Sequence, residues 1–451
     1  MISRVLIANR GEVAVRIVRA CKELGLETVA VYSTADKDSL HVQLADRSVH
    51  IGPPLPAQSY LNIPSLVAAG NTTGCDAVHP GWGFLAENAE FARACEDNDL
   101  AFVGPRPESI ETMGDKVRAK QAAAQAGLPL VPGSDGPATL ETAQSLGKEI
   151  GFPLLLKAAA GGGGRGMRLV DSPDELEGAW RTAAAEAESA FKDGSLYVER
   201  ALVGARHVEI QVLGDGEGHV LTLGERDCSV QRRHQKLVEE APSPALTPEL
   251  RTQMEDAARA ACAALSYRGA GTIEFLLDAE KRFYFIEMNT RLQVEHPVTE
   301  LLTGIDLARA QLNIAGGEGL PQEGRAELRG HAIEFRINAE DPTRDFMPAP
   351  GTVTRFRPPL GPGVRVDTHV FDGYRIPPFY DSLVAKVIVW AEDRDAALAR
   401  GARALREFEL EGVPTTRDLH LAILATEGFA SGDYTTGFLA ETGGELGLEA
   451  A

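Results

Sequence analysis

At 451 residues, the chain is long enough for about three domains and a substantial buried core without disulfide or metal staples. Its 65 acidic and 45 basic residues leave a net charge of −20, which excludes sequence-independent nucleic-acid binding and favours solubility. The five cysteines, Cys21, Cys75, Cys95, Cys228 and Cys262, include no C-x-x-C pair, so neither a disulfide framework nor a zinc ribbon is expected. Apolar runs predict strands over 5–8, 28–32, 48–51 and 101–103, with a helix over 13–24 stopped by Gly25. This alternation implies a parallel sheet covered on both faces. Asn9-Arg10-Gly11-Glu12 makes the first strand-to-helix turn and lacks the spaced glycines of a dinucleotide fingerprint. Residues 129–136, dense in turn formers, read as a connector. Beyond it come a strand over 154–157, four consecutive glycines at 161–164, a helix over 173–190 and a strand over 195–199. From His207 strands dominate, with paired signals over 271–277 and 282–288, and helix returns after Asp393. There is no internal repeat and no apolar run of about 18 residues, and the short run between Arg4 and Arg10 is no signal-peptide core. A soluble, cytoplasmic protein with no membrane partner is expected.

The glycine run follows a strand carrying Lys157 and precedes Arg165-Gly166-Met167. Four glycines are costly in conformational entropy and suit a backbone that closes over phosphate oxygens. The run lacks Walker A spacing, and a flexible surface hairpin is the alternative. Lys157, and Lys116 in Met113-Gly114-Asp115-Lys116, are candidate phosphate-binding charges.

Side chains alternate on a strand, so Glu287 and Asn289 share a face, and a hairpin partner would bring Glu274 to it. Such an oxygen-rich cluster suits magnesium; the alternative is a row of solvated acids. Next comes Arg291-Leu292-Gln293-Val294-Glu295-His296-Pro297, whose guanidinium, amide and carboxylate could hold and deprotonate a small planar anion. The 226–240 segment concentrates Arg226, Arg232, Arg233, His234 and Lys236 in an acidic chain, suggesting an anionic ligand or else a salt-bridged strand.

Together with Ile7-Ala8-Asn9-Arg10-Gly11-Glu12, His79-Pro80-Gly81-Trp82-Gly83-Phe84 and Arg336-Ile337-Asn338-Ala339-Glu340, these motifs resemble the biotin carboxylase family of the ATP-grasp superfamily over nearly the whole chain. The resemblance implies a three-domain ATP-grasp fold, α/β and α+β. Its parts would be an N-terminal α/β domain over 1–113, a linker and glycine-loop lid over 114–202, and a C-terminal domain over 203–446. By the same resemblance Lys116, Lys157, Gly163 and Gly164 bind ATP phosphates. Glu199, Arg200, Ala201 and Leu202 form the adenine hinge, and His207, Gln231 and His234 add nucleotide contacts. Glu274, Glu287 and Asn289 match magnesium or manganese ligands, with Glu274 also touching the nucleotide site. Lys236, Arg291, Gln293 and the Val294 backbone match a bicarbonate site, Glu295 its general base, and Arg336 the residue that stabilises a biotin enolate.

The implied activity is ATP-dependent carboxylation of biotin on a separate biotin carboxyl carrier protein, through carboxyphosphate. This is the first half-reaction of acetyl-CoA carboxylase in fatty acid biosynthesis, or of a related acyl-CoA or pyruvate carboxylase. The expected partners are that carrier and a carboxyltransferase, and no Ala-Met-Lys-Met-type biotinylation sequence is present. Arg19 and Glu23 imply a homodimer, although Pro362 stands where bacterial members often place an aromatic contact residue. Trp82 replaces a common Tyr, Arg200 replaces a common Lys, and Cys228 reads as a packing residue. The alternatives are another ATP-grasp carboxylate ligase and a nucleotide-binding regulatory subunit.

Overall fold

The computed structural model describes residues 2–159 and 166–448; the glycines at 161–164, with the predicted phosphate-loop residues Gly163 and Gly164, lie outside the described residues. The chain opens with five parallel strands, Arg4–Ile7, Glu27–Ser33, Arg47–Gly52, Ala77–His79 and Ala101–Phe102. Their spatial order is third, second, first, fourth, fifth. Helix Gly11–Glu23 packs Val13, Ala14, Ile17 and Cys21 into the sheet's core, which is why apolar residues recur at helical spacing there. Strand order reverses beside Arg4–Ile7, so Asn9-Arg10-Gly11-Glu12 occupies the switch point at a strand C-terminus, where such sheets usually leave a crevice. Ala77–His79 is too short to have been read as a strand from its pattern.

The segment with Lys157 forms a small antiparallel sheet. Leu154–Ala158 lies between Met167–Val170 and Leu196–Arg200. Helices Leu140–Ile150 and Pro173–Phe191 cover one face through Leu154, Leu156, Val198, Leu176 and Ala183.

The largest element is an eight-stranded antiparallel sheet. Its order runs Phe283–Asn289, Arg268–Leu277, Arg206–Asp215, Val220–Arg232, Gln235–Ala241, His331–Asn338, Leu383–Ala391, Val364–Thr368. On strand Arg206–Asp215, Val208, Ile210 and Val212 pack with Met254, Ala258 and Cys262 of helix Pro248–Ala264. The intervening His207, Glu209 and Gln211 point to the opposite face, and they too are buried. This sheet therefore has an apolar face and an equally buried polar one, which houses the charged residues described next. No helix among the described residues is long and apolar enough to cross a membrane.

Candidate active site

Strand register assembles the site. Glu287 pairs with Glu274, Glu274 with Glu209, and Glu209 with Arg226, which places four charged residues side by side on neighbouring strands. Arg226 is fully buried: its Nε donates to Glu209 Oε1 at 2.5 Å, and its other nitrogens donate to Gln211, Thr299 and Thr272. Lys236 reaches the same face from strand Gln235–Ala241 and donates through Nζ to three carboxylates: Glu295 Oε1 at 2.6 Å, Glu209 Oε2 at 2.7 Å and Glu274 Oε1 at 3.0 Å. Burial works against the charge on Lys236, but those carboxylates outweigh it and hold the ammonium well above its ordinary pKa.

Glu295, 0% exposed, is clamped between two cations. Lys236 takes Oε1, and Arg336 Nη2 donates to Oε2 at 2.8 Å. Burial alone would raise this carboxyl, yet Lys236, Arg336 and Arg226 hold it well below the usual carboxylate range. Arg336 is gripped from its other side by Glu239 Oε1 at 2.5 Å. Glu239 is pushed up to about 7, first by burial, against the pull of Arg336.

The hairpin reading of 271–289 holds in the structure. Asn289 Nδ2 donates to Glu274 Oε1 at 2.7 Å, and Glu287 lies directly opposite Glu274 at the open side of the cleft. Burial and then Glu274 raise Glu287, whereas Lys236 and His207 overcome burial and lower Glu274. His207 Nε2 stands 2.9 Å from Glu274 Oε2. Among the described residues, two ligand-capable groups occur here, His207, Glu209 and Glu274, and Glu209, Cys228 and Glu295, the donor atoms of each lying within 4.8 Å of one another. Beyond the hairpin, Arg291 donates to Asn289 Oδ1 and Gln293 Oε1, each at 3.0 Å, and to Glu87 Oε2 at 2.8 Å. Gln293 Nε2 donates to Glu274 Oε1 at 3.3 Å, and the Val294 carbonyl accepts from Lys386 Nζ at 2.8 Å.

Toward the small sheet, Glu199 is buried and its carboxylate is bridged by Lys157 and Lys120. Lys116 begins helix Lys116–Gln125, whose N-terminus Asp115 caps; burial and then Lys157 lower its pKa. The backbone N–H groups of Arg200 and Ala201 donate to Pro132 and Pro153 carbonyls, with Leu202 following in the connection to the large sheet. Gln231 pairs in register with Lys236 near the end of the hairpin. Its two-residue turn, Arg233-His234, has φ of 46° and 66°, the geometry of the tightest hairpin turns. That turn holds His234 over the cleft, where burial, His207 and Lys157 lower its pKa.

One sequence reading is corrected. The basic segment is not a single anion pocket: Arg226 is spent on Glu209, while Arg232 and Arg233 pair with Asp345 outside the cluster. Only Lys236 and His234 of that group face the cleft. Cys228 is buried with its Sγ 3.9 Å from Glu295 Oε1, and burial pushes the thiol well up, as a packing residue requires. Sequence reasoning missed Glu209, Glu239, Lys120, Glu87 and Lys386. Glu209 carried a signal, since His207-Val208-Glu209-Ile210-Gln211 alternates as the 271–289 hairpin does.

A small antiparallel sheet carrying Lys157 and Glu199, beside a large antiparallel sheet with Glu274 opposite Glu287, is an arrangement in keeping with ATP-grasp enzymes. Comparison with known proteins is specific. The families described as "Biotin carboxylase, N-terminal domain", "Carbamoyl-phosphate synthase L chain, ATP binding domain" and "Biotin carboxylase C-terminal domain" match residues 1–110, 115–323 and 334–441. The biotin carboxylase of Nostoc sp. is 55% identical over 442 residues, covering 97% of this chain and 98% of that one. The biotin carboxylase–β-γ-ATP complex from Campylobacter jejuni superposes with a TM-score of 0.93 at 48% identity, covering 98% and 99% of the two chains. The biotin carboxylase domain dimer of Hydrogenobacter thermophilus 2-oxoglutarate carboxylase, with MgADP and bicarbonate, gives 0.92 at 47% identity, covering 99% of each. The chain belongs to the biotin carboxylase family, ATP-dependent ligases of the ATP-grasp superfamily.

Proposed function

We propose that the chain carboxylates biotin borne on a carrier protein, using ATP and bicarbonate, and that the residues around Glu295 do the chemistry. The observation that carries this reading is a fully buried carboxylate held between Lys236 and Arg336 beside the Arg291–Gln293 pair. Bicarbonate is a poor nucleophile until it loses its proton. Glu295 is ionised but weakly basic in the present arrangement. An anion that draws Lys236 to itself removes part of the field that lowers Glu295, so substrate binding would sharpen the base. Arg291, Gln293 and the Val294 backbone would orient the carbonate so that an oxygen attacks the γ-phosphorus.

The predicted metal ligands fit a divalent cation on their own chemistry. Glu274 and Glu287 oppose each other in register, like charges whose repulsion a cation relieves, and the Asn289 amide, which here turns Nδ2 to Glu274 and Oδ1 to Arg291, would flip to offer its oxygen. Glu274, Glu287 and Asn289 would hold a magnesium ion, which would supply positive charge to the phosphoryl oxygens. Lys116 and Lys157 would neutralise the phosphates from the lid side, with Gly163 and Gly164 covering them. Glu199, Arg200, Ala201 and Leu202, with His207, Gln231 and His234, would contact the nucleotide. That attack would expel ADP and leave carboxyphosphate, which would split to CO₂ and phosphate; phosphate would remove the ureido proton of biotin, Arg336 would offset the enolate oxyanion, and the ureido nitrogen would bond to CO₂. Exclusion of water matters because carboxyphosphate hydrolyses readily.

The remaining assignments are a carboxyltransferase partner, a cytoplasmic location and a homodimer. For the last, Arg19 is exposed on helix Gly11–Glu23, and Leu360, 75% exposed, stands beside Pro362. The test is ATP hydrolysis in Mg²⁺ with and without bicarbonate and free biotin. Turnover requiring both is expected; hydrolysis indifferent to both would overturn the reading.

A further inference from the structure

Glu12, in the Asn9–Glu12 turn that the nucleotide chemistry leaves unused, faces Lys386. Lys386 is fully buried on strand Leu383–Ala391, directly opposite Arg336 in register. Its Nζ donates to the Val294 carbonyl at 2.8 Å and lies 3.2 Å from Glu12 Oε1 and 3.8 Å from Asp367 Oδ2. Glu12, only 3% exposed, sits in the first turn of helix Gly11–Glu23, which packs on the N-terminal parallel sheet; Asp367 belongs to strand Val364–Thr368, and Val294 to the loop between Gln293 and Glu295. A helix of the N-terminal part, a strand of the large sheet and the loop that follows another of its strands thus meet on one ammonium. Burial opposes its charge, but Glu12, Glu334 and Asp367 keep it protonated.

Resting on the carboxylase reading above, we propose that Lys386 is a positioning residue for the anion-binding loop, tethered from the N-terminal domain by Glu12. A charge-assisted hydrogen bond pulls the Val294 carbonyl beneath the loop. The Val294–Glu295 peptide is trans and planar, so the Glu295 N–H points the opposite way, and the backbone leading to the Glu295 side chain is fixed. The hydrogen bond from Lys386 to the anion-binding loop runs through this peptide. Helix Gly11–Glu23 starts at the strand-order switch point, commonly a ligand crevice, and from its first turn Glu12 reaches Lys386. The N-terminal sheet thereby contributes an anchor instead of a binding pocket.

The experiment measures KM for bicarbonate and for ATP in the intact wild type, Lys386→Met and Glu12→Gln. Lys386→Met is expected to raise KM for bicarbonate about tenfold or more, the loss of one charged hydrogen bond, with KM for ATP within about twofold. Glu12→Gln keeps the lysine and loosens its tether, so a smaller rise of about threefold in the same constant is expected, again sparing ATP. If Lys386→Met fails to fold, Glu12→Gln decides alone. An unchanged KM for bicarbonate, or parallel rises in both constants as a merely structural residue would give, overturns the proposal. Absence of bicarbonate- and biotin-dependent turnover in the wild type would instead sink the carboxylase reading itself.

Discussion

Replacing Glu295 with Gln removes the negative charge between Lys236 and Arg336 while preserving side-chain volume. Breaking a buried ion pair by deleting one partner commonly costs about 3–5 kcal/mol because the other charge is stranded. Here neither cation is stranded: Lys236 keeps Glu209 at 2.7 Å and Glu274 at 3.0 Å, and Arg336 keeps Glu239 at 2.5 Å. The stability cost should therefore fall below that range, and the variant should fold. Catalysis has no such reserve, since Glu209 and Glu274 are already committed to Lys236 and Arg226 or His207. General bases contribute about 10²–10⁴-fold, so a loss of at least about 100-fold in bicarbonate- and biotin-dependent kcat is expected, roughly 2.7 kcal/mol of barrier. Nucleotide affinity should stay within about twofold of wild type. The assay is coupled ADP release beside equilibrium nucleotide binding. Activity within tenfold of wild type, or nucleotide affinity falling in parallel with kcat, would refute the assignment.

Glu274→Gln leaves an amide opposite Glu287 and should raise the magnesium concentration for half-maximal turnover by about tenfold or more, measured by titration at fixed nucleotide. Glu240, buried against His331, Arg394 and Tyr434, is held at about 2. A depressed carboxyl stabilises the fold above its unfolded pKa of about 4.5 and loses that contribution as pH falls toward 2. Glu240→Gln should thus be destabilised at neutral pH, by on the order of 3 kcal/mol. Its melting temperature should converge on wild type between pH 4.5 and 2, and a gap that stays constant across that window would contradict the linkage. The Lys386→Met and Glu12→Gln pair should separate the bicarbonate and ATP constants as set out above.

The sequence was most transparent where one physical constraint acted alone. The N-terminal strands are apolar runs bounded by Gly and Pro, and residues 5–8, 28–32 and 48–51 fall on Arg4–Ile7, Glu27–Ser33 and Arg47–Gly52. Glu274, Glu287 and Asn289 were legible because two-residue alternation on two adjacent segments determines a shared face. Glu209 carried the same alternation and was overlooked, and Glu239 and Lys386 were hidden because polar residues on a strand ordinarily mark a wet face. In the large sheet both faces are dry, and charge partners come from strands far apart in sequence. Arg226 was misread for the same reason: counting charges along the chain cannot reveal that its partner, Glu209, sits across the sheet.

The row Glu287, Glu274, Glu209 and Arg226 also bears on how the chain avoids folding wrongly. Sliding a strand by one residue would turn all its side chains to the other face. Glu209 would then enter the apolar layer beside Met254 and Ala258, leaving the Arg226 guanidinium without its carboxylate. An apolar sheet penalises such a slip only through lost packing. This one adds the cost of forcing a charge into hydrocarbon, which guards each of four neighbouring strands. The same charged residues thus act as alignment marks, and correct strand pairing brings Glu287, Glu274, Glu209 and Arg226 into one row.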